Sequence, residues 1–194
     1  MAHKATTIKD AIKQWEGEND GQIAGDAEKV MLNGVMPPIE KMDASLGALK
    51  SVKRLALSTN AIEKITGLNG LTNLEILSLG RNGLRKIDGL EPVGGTLKQL
   101  WLSYNYIDKL GGLTVCPNLE VLYISNNRVS SWGEIEKLGD NKNLREVLFK
   151  ANPIEEKYSK EGTWRVEFVK RVKQIKKLDG YIIEDSEREA AGVA

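Results

Sequence analysis

The chain has 194 residues, with 28 basic and 27 acidic side chains, one His, one Cys and a formal net charge of +1. That length suits a single domain with its own core, and the balanced charge excludes whole-molecule attraction to nucleic acid or an anionic membrane. One cysteine (Cys116) excludes an internal disulfide, and no apolar run approaches the roughly 18 residues of a membrane span.

The first stretch, MAHKATTIKDAIKQW, lacks the apolar core of a secretory signal, so an intracellular protein is expected. Thr7 and Asp10 have the spacing of a capping box, and Ile8, Ile12 and Trp15 form an apolar stripe at helical spacing. A helix is expected over 7–16, laid across the open end of whatever follows. Val30, Leu32 and Val35 then read as a degenerate first structural turn, ended by Pro37-Pro38.

From residue 52 the chain repeats. VKRLALSTNAI, LEILSLGRNGL, LKQLWLSYNYI, LEVLYISNNRV and LREVLFKANPI align on Asn60, Asn82, Asn105, Asn127 and Asn152, spaced 22, 23, 22 and 25 apart. Each fits L-x-x-L-x-L-x-x-N-x-L, the leucine-rich repeat, with Val, Ile or Phe admitted at leucine places. Strand side chains alternate, so Leu55/Leu57, Leu77/Leu79, Leu100/Leu102, Leu122/Ile124 and Val147/Phe149 are expected in a shared core. The asparagines are expected to bond backbone groups of adjacent turns. Ile65, Ile87, Leu110 and Trp132, each five residues after its asparagine, form a second apolar set. Cys116 aligns with Leu71, which marks it as a packed apolar side chain rather than a nucleophile. Two insertions stand out, Gly94-Gly95 and the segment from Trp132 to Leu138; the second, WGEIEKL, suggests a short helix.

After Asn152-Pro153, Trp164, Phe168, Val172 and Ile175 form a helical stripe, and Leu178-Asp179-Gly180 closes it. YIIEDSEREAAGVA opens apolar and turns charged, which suggests a turn followed by a projecting helix or a frayed end. The expected fold is therefore α/β: a leucine-rich repeat solenoid with a parallel β-sheet on one face, short helices on the other and helical caps at both ends. The divisions expected are a cap at 1–29, repeats at 30–154, a second cap at 155–180 and a tail at 181–194.

No phosphate-binding loop, dinucleotide fingerprint, zinc-protease motif or paired C-x-x-C occurs. His3 as the sole histidine is a poor anchor for a Ser-His or Cys-His triad, and one His with one Cys cannot make a usual structural zinc site. Carboxylates are scattered, so no catalytic residue is named, and neither enzyme activity nor a cofactor or metal is expected. A binding protein is expected instead. The sheet face brings Ile76, Trp101, Tyr104, Val121, Tyr123 and Leu148 into adjacent rows, rimmed by Arg54, Arg81, Glu146 and Lys150. Apolar and aromatic residues inside a charged rim have the form of a protein-binding site; the competing reading covers this patch with the chain's own tail. On the second cap, Arg171, Lys173, Lys176 and Lys177 are either a solvated face or a contact for an acidic surface such as tubulin. Tyr181, Ile182, Glu184, Asp185 and Arg188 could add a contact from the tail, with disorder as the alternative. Without interleaved aromatics, nucleic acid is not an expected partner, nor is a membrane, and the chain is expected to be a monomer on its own.

The repeat lines resemble the Sds22-like class of leucine-rich repeats. Within it, PPIEKMDASL, LALSTNAIEKI, LSLGRN, LWLSYNYI, YISNNRV, NPIEEKY and KKLDG are similar to the leucine-rich-repeat light chains of the axonemal outer dynein arm, from about residue 5 to residue 190. That resemblance implies a non-catalytic subunit bound to a dynein heavy chain at the microtubule-binding domain of its stalk. It also implies modulation of the motor–microtubule interaction in the axoneme of cilia or flagella, a cytoplasmic, cytoskeletal setting. The family's apolar sheet face corresponds to the rows with Trp101 and Tyr123, and its segment after KKLDG is YIIEDSERE here, with a longer apolar opening. The parent class implies an alternative, a regulatory subunit of a protein phosphatase.

Overall fold

The computed structural model describes residues 4–193; His3, singled out above, lies outside the described residues. Helix α1 spans Ile8–Glu18, two residues beyond the expected end. The Thr7 hydroxyl accepts the Asp10 N–H at 3.1 Å and donates to its carboxylate at 2.7 Å, which meets one of the orphan donors of the first turn. Ile8, Ala11, Ile12 and Trp15 are buried, so the apolar stripe is the face that closes the first structural turn.

Seven strands follow in parallel and in chain order: β1 Lys29–Met31, β2 Arg54–Ala56, β3 Ile76–Ser78, β4 Gln99–Trp101, β5 Val121–Tyr123, β6 Glu146–Leu148 and β7 Lys177–Leu178. The eighth, β8 Tyr181–Ile182, returns antiparallel on β7. Middle residues Leu55, Leu77, Leu100, Leu122 and Val147 pair across the sheet and are fully buried with Leu57, Leu79, Leu102, Ile124 and Phe149. One continuous core runs from α1 to the C-terminal helices. A turn has no other way to bury its apolar face than against the next turn, which is why neighbours and caps are required.

The asparagines form a ladder. Each Oδ1 accepts a backbone N–H from the turn before, from Ile39, Ile62, Leu84, Ile107 and Val129 in order, at 2.9–3.1 Å. Each Nδ2 donates to a carbonyl of its own turn and to one of the preceding turn. Leu57, Leu79, Leu102 and Ile124 O are each thereby shared by two successive asparagines. The residue before each asparagine is left-handed: Thr59, Arg81, Tyr104, Asn126 and Ala151, with φ of 54–58° or, for Tyr104, 61°. Asp179 is also left-handed, at φ 53°, but at the register of Leu148 rather than before an asparagine. Its buried carboxylate accepts from Phe149 N, Lys150 N and Trp164 Nε1, taking the Phe149 N–H that in earlier turns goes to a backbone carbonyl of the next strand.

On the opposite side the chain runs through short 3-10 turns and helix α2, Trp132–Glu136, within the second insertion. Successive turns approach closely there: a Cβ on Gly112 would lie 1.5 Å from the Ile87 carbonyl oxygen. Cys116 is completely buried, and burial pushes its thiol up to about 11.

The cap departs from expectation in three respects. A separate helix, α3, occupies Pro153–Lys160, with the proline at its first position, where no N–H is needed. The helix carrying Trp164 and Phe168, α4, ends at Arg171, so Val172 and Ile175 are buried from a turn rather than from a helical stripe. The tail, expected to project or fray, forms α5 over Asp185–Ala191, which packs on α4 and buries Ala191. Arg165 donates to both carboxylate oxygens of Glu187, at 2.5 and 3.0 Å. Arg188 donates to the Lys173 and Ile175 carbonyl oxygens.

Candidate partner-binding face

The sheet displays two rows of side chains. Strand register places Arg54, Ile76, Gln99, Val121, Glu146 and Lys177 in one row and Ala56, Ser78, Trp101, Tyr123 and Leu148 in the other. Ala56 and Ser78, on the displayed face by register, are nevertheless buried, at 3% and 7% exposure. The reason is that Arg54 on β2 and Trp101 on β4 lean toward each other across β3, with the guanidinium 4.9 Å from the ring centroid. Large side chains on neighbouring rungs cover the small ones between them.

Trp101 and Tyr123 are half-buried and stack, with ring centroids 5.7 Å apart and planes 20° from parallel. Such a pair adds about 1 kcal/mol to its area burial and fixes both rings before any partner arrives. The Tyr123 hydroxyl donates to Glu146 Oε1 at 3.0 Å, and Lys177 Nζ meets the same oxygen at 3.1 Å. Burial, then the Glu146 hydrogen bond and charge, hold the Tyr123 phenol above its ordinary value, so it remains a donor. Ile76, Val121 and Leu148 are half-buried around the rings. Trp101 Nε1, Arg54 Nε and the hydroxyls of Ser103 and Ser125 are buried without a hydrogen-bond partner among the described residues. These atoms lie beneath the outer side chains of the face rather than on its surface.

The rim residues do not all stand where strand reasoning puts them. Arg81 and Tyr104 occupy left-handed turn positions, with the guanidinium 4.0 Å from the ring centroid. Tyr104 is 46% exposed. Lys150 is also exposed, 5.8 Å from the ring of Tyr181. Glu146 is bound into the Tyr123–Lys177 network rather than free at an edge.

The cap and tail candidates separate. Lys177 lies on β7 and joins the sheet face. Arg171 lies over Trp132 at 4.1 Å and pairs with Glu136 and Glu167, so its charge is spent within the fold. Glu184 caps α5 reciprocally with Glu187, and Arg188 is tied to backbone carbonyls. Lys173 and Lys176 are exposed and make no ion pair among the described residues. Tyr181 and Ile182 are exposed at 67% and 73%. Ile182 extends the apolar surface at the end of the sheet, as the apolar opening of the tail suggests. Because α5 rests on α4, the tail helix does not cover the Trp101–Tyr123 patch.

A family model for leucine-rich repeats (two copies) matches residues 96–137. The chain is 59% identical over 189 residues to dynein axonemal light chain 1 of Danio rerio, covering 97% of this chain and 98% of that one. It is 56% identical over 194 residues to the protein of the same name from Chlamydomonas reinhardtii, covering 98% of each. Among solved structures, an internalin from Listeria monocytogenes superposes with a TM-score of 0.60 at 18% identity, over 80% of this chain and 41% of that one, a likeness of fold alone.

Proposed function

Because the chain belongs to the axonemal dynein light chain 1 family, we propose that it serves as a dynein light chain in the axoneme of a cilium or flagellum. In this role it is a binding subunit, not an enzyme. It holds a dynein heavy chain at the microtubule-binding domain of the stalk and thereby modulates how the motor engages its track.

The observation that carries this reading is the Trp101–Tyr123 stack, set between Arg54 and the Glu146–Lys177 pair. Rigid aromatics with charged side chains beside them suit a protein surface, since Trp, Tyr and Arg dominate interface energetics. Ile76, Val121 and Leu148 supply the surrounding apolar contact, with Arg81, Tyr104 and Lys150 at the margin. Lys173, Lys176 and Tyr181 are the cap and tail groups left free to touch the microtubule. Only contacts that differ between motor states alter the motor's affinity, and the coupling is reciprocal. Relatives named as dynein light chains favour this role over that of a phosphatase regulatory subunit.

The test is capture of a heavy-chain stalk fragment by the purified chain. Truncating both rings, Trp101→Ala with Tyr123→Ala, removes two anchors of about 2 kcal/mol each, so affinity falls roughly 1,000-fold while the circular dichroism spectrum stays native. Undiminished capture by that variant overturns the assignment of the face. Recovery of a phosphatase catalytic subunit without dynein from axonemal extracts overturns the role.

A further inference from the structure

The chain has eight arginines, and they divide by what they touch. Arg165 and Arg171 pair with glutamates. Arg145 and Arg188 donate to backbone carbonyls. The other four make no ion pair among the described residues, and each guanidinium lies against an aromatic ring: Arg54 on Trp101, Arg81 on Tyr104, and both Arg85 and Arg128 on Tyr106. Three of these four cluster where the strands turn past the asparagine ladder.

Tyr104 and Tyr106 flank Asn105 and are each 46% exposed. Arg85 comes from the turn before Tyr106 and Arg128 from the turn after it, with guanidinium carbons 5.9 and 4.5 Å from its centroid. The two cations are therefore within about 10 Å of each other, near the screening length of physiological salt. We propose that Arg81, Arg85 and Arg128, arrayed on Tyr104 and Tyr106, form a docking edge for a short acidic segment of a protein, whose carboxylates are taken by Arg85 and Arg128.

Three features support an acidic polypeptide as the occupant. A guanidinium stacked on a ring keeps its N–H edge free, in the fork geometry that matches a carboxylate, and gives up little further rotamer freedom on binding. Carboxylates on one face of an extended chain recur about every 6.8 Å, which fits within the span of the two arginines. Glu63 and Asp108 hold the place of Arg85 in the flanking turns, so the positive field is local and a long polyanion such as nucleic acid would run onto negative charge. This site lies past the strand ends, beside the Trp101–Tyr123 face, and binding there is measurable without a heavy chain.

The probe is a fluorescein-labelled decaglutamate peptide, titrated with the full chain by anisotropy, with decaglutamine as control. Decaglutamate binds, decaglutamine does not, and raising salt from 50 to 300 mM weakens the complex. Arg85→Gln with Arg128→Gln weakens it at least tenfold, whereas Lys9→Gln with Lys13→Gln, exposed on helix α1 of the first cap, changes it less than twofold. The arginine Nε–H resonances of Arg85 and Arg128 shift on titration of the unmodified chain, a readout independent of any variant's folding. Undiminished binding by the Arg85/Arg128 variant, loss in the cap variant, or no decaglutamate binding at 50 mM salt overturns the proposal. Displacement by inorganic phosphate well below the concentration of sodium acetate needed for the same effect reassigns the site to phosphate and overturns the acidic-peptide occupant.

Discussion

Asn105→Ala probes the ladder at its centre. The Asn105 side chain is 5% exposed. It accepts from Leu84 N at 3.0 Å and donates to Leu79 O at 3.0 Å and Leu102 O at 2.9 Å. Both carbonyls keep a second asparagine donor, Asn82 and Asn127 respectively, so their loss is partial, about 1 kcal/mol together. Leu84 N–H keeps nothing, and a buried orphan donor costs about 2 kcal/mol. The sum is roughly 3 kcal/mol, which for a domain of this size lowers Tm by roughly 6–12 °C. Urea unfolding followed by tryptophan fluorescence measures it. Asn60→Ala is the control: Asn60 makes the same set of bonds but is half-buried, so water replaces its partners and the loss is about 1 kcal/mol. If Asn105→Ala costs less than 1 kcal/mol, or no more than Asn60→Ala, then satisfaction of buried backbone groups is not what these asparagines supply. Heavy-chain capture by Asn105→Ala, measured cold where the variant stays folded, should match the unmodified chain.

The remaining predictions concern the turns, the thiol and the tail. Thr59 is β-branched at φ 58°, where L-residues other than Gly, Asn and Asp are strained by about 1–2 kcal/mol; Thr59→Asn, the residue of a later repeat, should raise Tm by roughly 2–4 °C, and no rise would mean the turn carries no strain. With its thiol at about 11, Cys116 exposes only about one thiolate in a thousand at pH 8, so a disulfide reagent should label it only after unfolding; fast native labelling would contradict its burial. The Arg165 hydrogen bond, opposed by burial, holds the Glu187 carboxyl below its ordinary value. Its contribution to docking α5 is therefore complete above about pH 4.5 and is lost as pH falls through the depressed value. Amide protection over 185–191, corrected for intrinsic exchange, should drop with acid in the unmodified chain and be low and flat in Glu187→Gln; matching curves would remove the ion pair as the latch.

The sequence by itself determined the repeat, the core and the first cap, because each rests on spacing along the chain. Period-two alternation sends Leu55, Leu77, Leu100, Leu122 and Val147 inward whatever the surroundings, and Ile8, Ile12 and Trp15 share a helix face by geometry alone. The composition of the binding face was legible for the same reason, since knowing which residue lies between two core leucines identifies what the sheet displays. Tertiary structure decided how those displayed residues are arranged. Ala56 and Ser78 are buried because Arg54 and Trp101 close over β3, and the three arginines gather on Tyr104 and Tyr106 because successive turns stack. Neither arrangement has a signature within one turn, since the partners stand 20 or more residues apart. The tail shows the same division most clearly. Its charged stretch reads as solvated, yet Glu187 and Arg188 find Arg165 and the Lys173 and Ile175 carbonyls on the cap beneath it. A charge pattern states what a segment can pair with, and only the packed chain brings the partner within reach.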